Sequence, residues 1–266
     1  MIMTLSAFEP KHCILVCVDS DGCAIDSMEI KHRNCFGPAA VTEWGLKTVE
    51  EAFLTRWNEI NLYSVTRGIN RFKGLAMIAE EFAIPGWQSI KEWTQRTKAL
   101  SNDTLILETD AALKKLLNWS YSVNEAIEAL PLPKPFSGVS EMLELMGNEA
   151  DIAVVSSANL IAIEQEWGAG ALLEYVSVLL SQNDGSKSSC IARLLQKGYD
   201  RANVLMIGDA PGDYQAAIEN DVSFYPINPG NEADSWRVLK DRAWYEFKSG
   251  WMDSSYLSDF NRNLGI

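Results

Sequence analysis

A chain of 266 residues with 47% hydrophobic and 22% charged side chains has apolar material for one large domain or two modest ones. Its 36 acidic against 23 basic residues leave a formal charge of -13, which excludes a general nucleic-acid binder because nothing would neutralise a phosphate backbone. Five cysteines without paired spacing make no disulfide framework, no apolar run reaches membrane-spanning length and the start of the chain lacks a secretory pattern, so a cytoplasmic protein with no membrane contact and no obligate protein partner is expected.

Residues 13–18 form a continuous apolar run rich in β-branched types, the pattern of a strand buried on both faces of a parallel sheet. Cys13 and Cys17 fall inside it and are expected to behave as small core residues. A metal site from Cys13, Cys17, Cys23 and His12 or His32 matches no zinc spacing. The run ends in Asp19 and Asp21, two positions apart, followed by Gly22, which puts both acids at the carboxyl edge where open α/β sheets hold their ligand crevice. Residues 23–27 read as a turn or small hairpin over the strand end.

From residue 28 to 130 the pattern is helical, with apolar residues at three-to-four spacing in 50–57, 71–82 and 111–117, and a stop at Ile84-Pro85-Gly86. Pro131-Leu132-Pro133-Lys134-Pro135 is stiff and extended. Residues 28–135 are therefore expected as a helical insertion between 1–27 and 136–266. Beyond it helix and strand alternate. Helices are expected over 137–146, 160–167, 188–196 and 213–219. Strands at 152–155, 176–180 and 204–207 end in Ser156-Ser157, Ser181 and Gly208-Asp209, and a fifth covers 222–225. Such alternation means βαβ units and a parallel sheet, an α/β fold. Residues 231–266 read as two further helices.

In a parallel sheet the ends of these strands lie on one edge, so Asp19, Asp21, Ser156, Ser157, Ser181 and Asp209 converge on one crevice. Loops are polar anyway, and one such coincidence would mean little. A cluster of Asp19, Asp209 and Asp213 repels itself unless a cation sits among them, and a hard divalent ion with oxygen ligands, Mg²⁺ foremost, suits it. Lys187, just after Gly185, supplies a positive charge that balances the acids or holds a phosphate oxygen; a solvated helix lysine is the bland alternative.

Asp19-Ser20-Asp21-Gly22 with Asp26-Ser27, then Val155-Ser156, Lys187 and Gly208-Asp209-Ala210-Pro211-Gly212-Asp213 resemble the four ordered motifs of the haloacid dehalogenase superfamily. The resemblance covers 11–27 and about 136–230, and the insertion resembles a C1-type helical cap. Ser188 stands where many relatives have proline, and Ser20 fills a variable position. The resemblance implies a Rossmann-like core with the first strand central, Mg²⁺ as cofactor and covalent phosphoryl transfer. Asp19 would be the nucleophile and Asp21 the acid and base. Ser156, Ser157, Gly22 and Lys187 would bind the phosphoryl group. Asp19, the Asp21 carbonyl and Asp209 would hold the metal, with Asp213 supporting Lys187 or a metal-bound water.

A dehalogenase needs only the nucleophile, so Asp21 points to phosphate chemistry: a phosphatase acting on a small phosphorylated metabolite. A sugar phosphomutase shares the same core residues, and a non-catalytic phosphate- or metal-binding module is the reading from another class. Substrate contacts are expected in the insertion: Lys31 and His32 with Arg33 near its start, or Arg67 and Arg71 on one helical face with Lys73, unless these form a solvated face.

Overall fold

A computed structural model describes residues 4–265. The chain divides into two compact units, one made of the residues through Met28 together with those from Leu132 onward, the other Glu29–Pro131.

The first unit is built on a five-stranded parallel sheet: β1 Ile14–Val18, β2 Ala150–Val155, β3 Val178–Leu180, β4 Val204–Gly208 and β5 Ser223–Pro226, in the order β3-β2-β1-β4-β5. Strand residues alternate between two apolar layers. Val16, Val18, Ile152, Val154, Leu205 and Ile207 face one, and Leu15, Cys17, Ala153, Val155, Val204 and Met206 face the other. Burial on both faces is why the strands read as unbroken apolar runs. Helices Leu160–Ala169, Lys187–Leu195 and Pro211–Asn220 connect successive strands after β2. Asp151, the one carboxylate inside a strand among the described residues, is buried; its Oδ2 accepts from the amides of Lys11 and His12 (2.9 and 3.0 Å) and from Tyr199 Oη (2.7 Å), which ties the approach to β1 onto β2.

The central strand sits between β2 and β4, with Val18 opposite both Val154 and Ile207. The chain steps outward from β1 to β2 and β3 and then returns to the other side of β1 for β4. That reversal opens a crevice at the carboxyl ends of β1 and β4.

Several expectations at the ends of elements need correction. Cys13 lies before β1 and is exposed, so only Cys17 of the pair is a core residue. β3 begins at Val178, because residues 173–175 wind into a 3₁₀ turn. The helix expected from 188 starts at Lys187, since the Ser186 hydroxyl caps it by accepting from the Ser189 amide at 3.2 Å.

The second unit is helical, with its own core. The chain runs through a π-helical turn, His32–Phe36, and helices Gly37–Trp44, Glu50–Leu62, Arg71–Ala79, Trp87–Arg96 and Ala111–Glu128. Trp57, Trp93 and Trp119 are fully buried among Phe36, Phe53 and Phe72, and Trp119 donates its indole N–H to the Phe36 carbonyl (3.2 Å). Among the described residues no helix is long and apolar enough to cross a membrane.

Candidate active site

Asp19 follows β1 directly. Its amide donates to the Ile207 carbonyl of β4 (3.0 Å), carrying the sheet register one residue past the strand and fixing where the side chain leaves the backbone. The residue is buried, at 5% exposure. Lys187, the first residue of its helix, reaches it with Nζ at 2.7 Å from Oδ2 and simultaneously meets Asp213 Oδ1 at 2.5 Å. Asp213 is placed by the start of helix Pro211–Asn220, where Pro211 suits a first turn that has no partner for its N–H groups. Its Oδ2 accepts from the Ala210 amide at 3.1 Å.

Gly208, the last residue of β4, is glycine for a local reason. A Cβ there would lie 2.3 Å from Asp213 Cγ and 2.5 Å from its Oδ2. The absence of a side chain lets the Asp213 carboxylate lie against the strand end, and Asp209 follows at once. Ligand oxygens of Asp19, Asp209 and Asp213 lie within 4.8 Å of one another, and all three residues are buried.

The electrostatics follow from this crowding. Burial above all raises the Asp19 carboxyl; with the Lys187 ammonium pulling it down, Asp213 pushing it up and the Ser20 amide steadying the charged form, it stands at about 7. Asp213 is likewise raised by burial and by Asp209, against Lys187. Burial alone would lower Lys187, but Asp19 and Asp213 override it and hold the lysine well above its ordinary range. Three carboxylates face one ammonium, an excess of two negative charges when all are ionised. An all-oxygen donor set with that excess fits one hard divalent cation.

Asp21 is half-buried beyond Asp19, and the buried Ser27 hydroxyl donates to its Oδ1. Between them the chain makes a tight turn. Gly22 takes φ +77°, a conformation that favours glycine, and its amide donates to the Ile25 carbonyl at 2.9 Å. Its N–H, expected as a phosphate donor, here closes the turn, and the positive φ gives the glycine a conformational part as well.

Ser156 is buried at the end of β2; its Oγ accepts from the Ala158 amide (3.1 Å), which leaves the hydroxyl hydrogen to point elsewhere. Ser157 beside it is exposed. Ser181 has a different use from that expected. Its hydroxyl donates to Asp184 Oδ2 (3.1 Å) and accepts from the Asn183 amide, capping a short turn.

The insertion residues belong to the helical unit, and the pairing of Arg67 with Arg71 differs from expectation. Arg67 lies in a turn outside any helix, so it shares no helical face with Arg71; it is buried and donates from Nη1 to the Leu62 carbonyl (2.8 Å). Arg71 opens helix Arg71–Ala79, donates to Asn124 Oδ1 (2.7 Å) and stands 5.0 Å above the Phe36 ring. His32 is buried, stacked on Phe36, with Nδ1 accepting from Trp57 Nε1 at 3.2 Å. Lys31 is half-buried and Lys73 exposed.

Three residues that shape the site carry no sequence assignment of a role. Ser27 lies within a motif without a role of its own, and Ser20 fills a variable position. Trp167, whose Nε1 donates to Ser20 Oγ at 2.9 Å, is 147 residues away in the chain and had no local signal at all.

The model of a family described as haloacid dehalogenase-like hydrolase matches residues 72–227. No curated protein matches in sequence. Solved structures share the fold. One bears the provisional name phosphoglycolate phosphatase, from Lactobacillus delbrueckii subsp. bulgaricus; it is 13% identical with a TM-score of 0.54, over 82% of this chain and 87% of that one. Another bears the provisional name beta-phosphoglucomutase, from Thermotoga maritima, at 15% identity and TM-score 0.53, over 86% and 99%. A third, with the same provisional name and from Bacteroides vulgatus, is 12% identical with a TM-score of 0.54, over 91% of each chain.

Proposed function

We propose that this chain, which belongs to the haloacid dehalogenase-like hydrolase family, is a Mg²⁺-dependent phosphatase that cleaves the phosphoric monoester of a small metabolite through an aspartyl-phosphate. The observation that carries the reading is one half-buried lysine, Lys187, its Nζ held between the buried Asp19 (2.7 Å) and Asp213 (2.5 Å) with Asp209 in the same cluster. A carboxylate beside a fixed positive charge, at the carboxyl edge of a parallel sheet, supports a nucleophile acting on a phosphoryl group.

Asp19 attacks phosphorus; an O–P bond forms to its carboxylate as the ester P–O bond breaks. Asp21 gives its proton to the departing oxygen and then takes one from the water that cleaves the aspartyl-phosphate, restoring Asp19 and releasing phosphate. Lys187 and the Ser156 hydroxyl stabilise the phosphoryl oxygens, and Ser156 is turned for this because its Oγ already accepts from Ala158. Asp213 holds Lys187 in reach. Asp19, Asp209 and the Asp21 carbonyl would hold Mg²⁺, which when bound offsets the negative charge around phosphorus. The exposed Ser157 is a further candidate donor to the phosphoryl group, and Lys31, His32, Arg67 and Arg71 remain candidates for contact with the rest of the substrate.

The test is release of p-nitrophenol from p-nitrophenyl phosphate with Mg²⁺ and with EDTA. Turnover is expected only with the metal, and Asp19→Asn is expected to lower it by at least about a thousandfold. Wild-type rates in Asp19→Asn, or turnover indifferent to EDTA, would end the proposal.

A further inference from the structure

We propose that Trp167 is a positioning residue, holding Asp21 in place through Ser20; the inference rests on the phosphatase reading above. Ser20 separates the two acids and is fully buried, so it reaches neither solvent nor substrate. Its carbonyl is the hub of the turn, accepting from the amides of Cys23 (3.3 Å), Ala24 (3.0 Å) and Ile25 (2.9 Å). Three amides on one oxygen make the orientation of that peptide plane decide the path of the turn. The plane is the Ser20–Asp21 peptide, so it also decides where Asp21 stands.

What fixes Ser20 on its side-chain side is the indole of Trp167, which donates to Oγ at 2.9 Å. An indole N–H only donates, so the serine oxygen must accept, and the bond restrains the serine side chain. Trp167 is a rigid anchor: it is fully buried in helix Leu160–Ala169, within the apolar layer that also holds Val16, Val18 and Ile25. The far side of the turn is tied down by a second indole, Trp236 Nε1 donating to the Cys23 carbonyl at 2.9 Å. Asp21 lies between these two ties. Proton transfer needs its carboxyl within hydrogen-bond reach of the leaving oxygen, and small displacements there lower the rate steeply. Losing the Trp167 tie therefore impairs the chemical step rather than binding.

Trp167→Phe keeps the ring bulk and removes the donor, while Ser20→Ala removes the acceptor. The two single variants and the double variant are compared by steady-state hydrolysis of p-nitrophenyl phosphate at saturating Mg²⁺, and by the ¹H–¹⁵N cross-peak of the Asp21 amide. Each single variant is expected to lose about tenfold in kcat with KM within about twofold. The double variant is expected to be no worse than either, because both changes break the same bond. The Asp21 cross-peak is expected to move alike in all three. Wild-type kcat in a folded single variant, losses that multiply in the double variant, or an unmoved Asp21 cross-peak would overturn the inference. Should Trp167→Phe not fold, the kcat and cross-peak of Ser20→Ala decide. An inactive wild type would sink the phosphatase reading instead and leave the cross-peak to decide this one.

Discussion

Gly208 shows how a missing side chain can set chemistry at the residue scale. Gly208→Ala would push a methyl into the Asp213 carboxylate at 2.3 Å from Cγ, and neither the strand nor the helix start can yield easily. The variant is expected to lower kcat about a hundredfold by releasing Lys187 from its second partner, and to cost about 1–3 kcal/mol of stability from overpacking; steady-state kinetics and urea unfolding read the two effects separately. The raised carboxyl of Asp19 has its own signature in metal-free protein. A carboxyl near 7 when folded and about 3.9 when unfolded binds a proton more tightly in the native state. Its stabilising contribution is complete below about pH 4 and is lost as pH rises through about 7. In EDTA, wild-type protein is therefore expected to lose stability relative to Asp19→Asn between pH 5 and 8, measured by urea unfolding at both pH values. A difference that does not change with pH would contradict the burial argument.

The helices and strands were legible wherever burial wrote a simple period into the sequence. β1, β2 and β4 read as apolar runs because both faces are covered, and their polar ends fell where the chain leaves the sheet. Element ends were less legible, since they depend on single contacts: the Ser186 cap adds Lys187 to its helix, and the 3₁₀ turn at 173–175 shortens β3. Spacing alone puts Arg67 and Arg71 on one face, but Asn70 caps the helix between them by accepting from the Phe72 amide at 3.0 Å. Helical spacing means nothing across a cap. Gly86 tests a similar junction in the helical unit. It takes φ +82° just before helix Trp87–Arg96, and a Cβ there would lie 2.2 Å from the Ala112 Cβ. Gly86→Ala is expected to destabilise that unit by about 2–4 kcal/mol, read as an earlier calorimetric transition, since backbone strain and steric clash add.

At the scale of the whole molecule, four residues from distant segments meet because the sheet order brings the ends of β1 and β4 side by side. The motif order anticipated the meeting of Asp19, Lys187, Asp209 and Asp213. It did not anticipate the two indoles under the turn, because a tryptophan that donates one hydrogen bond across the fold looks in sequence like any apolar residue. Filling the acidic cluster is expected to stabilise the entire first unit by mass action. Mg²⁺ at about a hundred times its dissociation constant adds about 2.7 kcal/mol, seen as a rise of several degrees in Tm. Asp209→Asn is expected to abolish most of that rise, and an equal rise in the variant would place the ion elsewhere.

The central position of β1 has a consequence during synthesis. Its neighbours are β2, starting at Ala150, and β4, starting at Val204, so the strand leading into Asp19 leaves the ribosome long before either flank exists. Pairings so remote in the chain fold slowly, and a bare apolar segment waiting for them invites association with other nascent chains. Translation beyond Gly208 is thus required before Asp19 can acquire its surroundings, and chaperone demand should be greatest while the intervening helical stretch is being made.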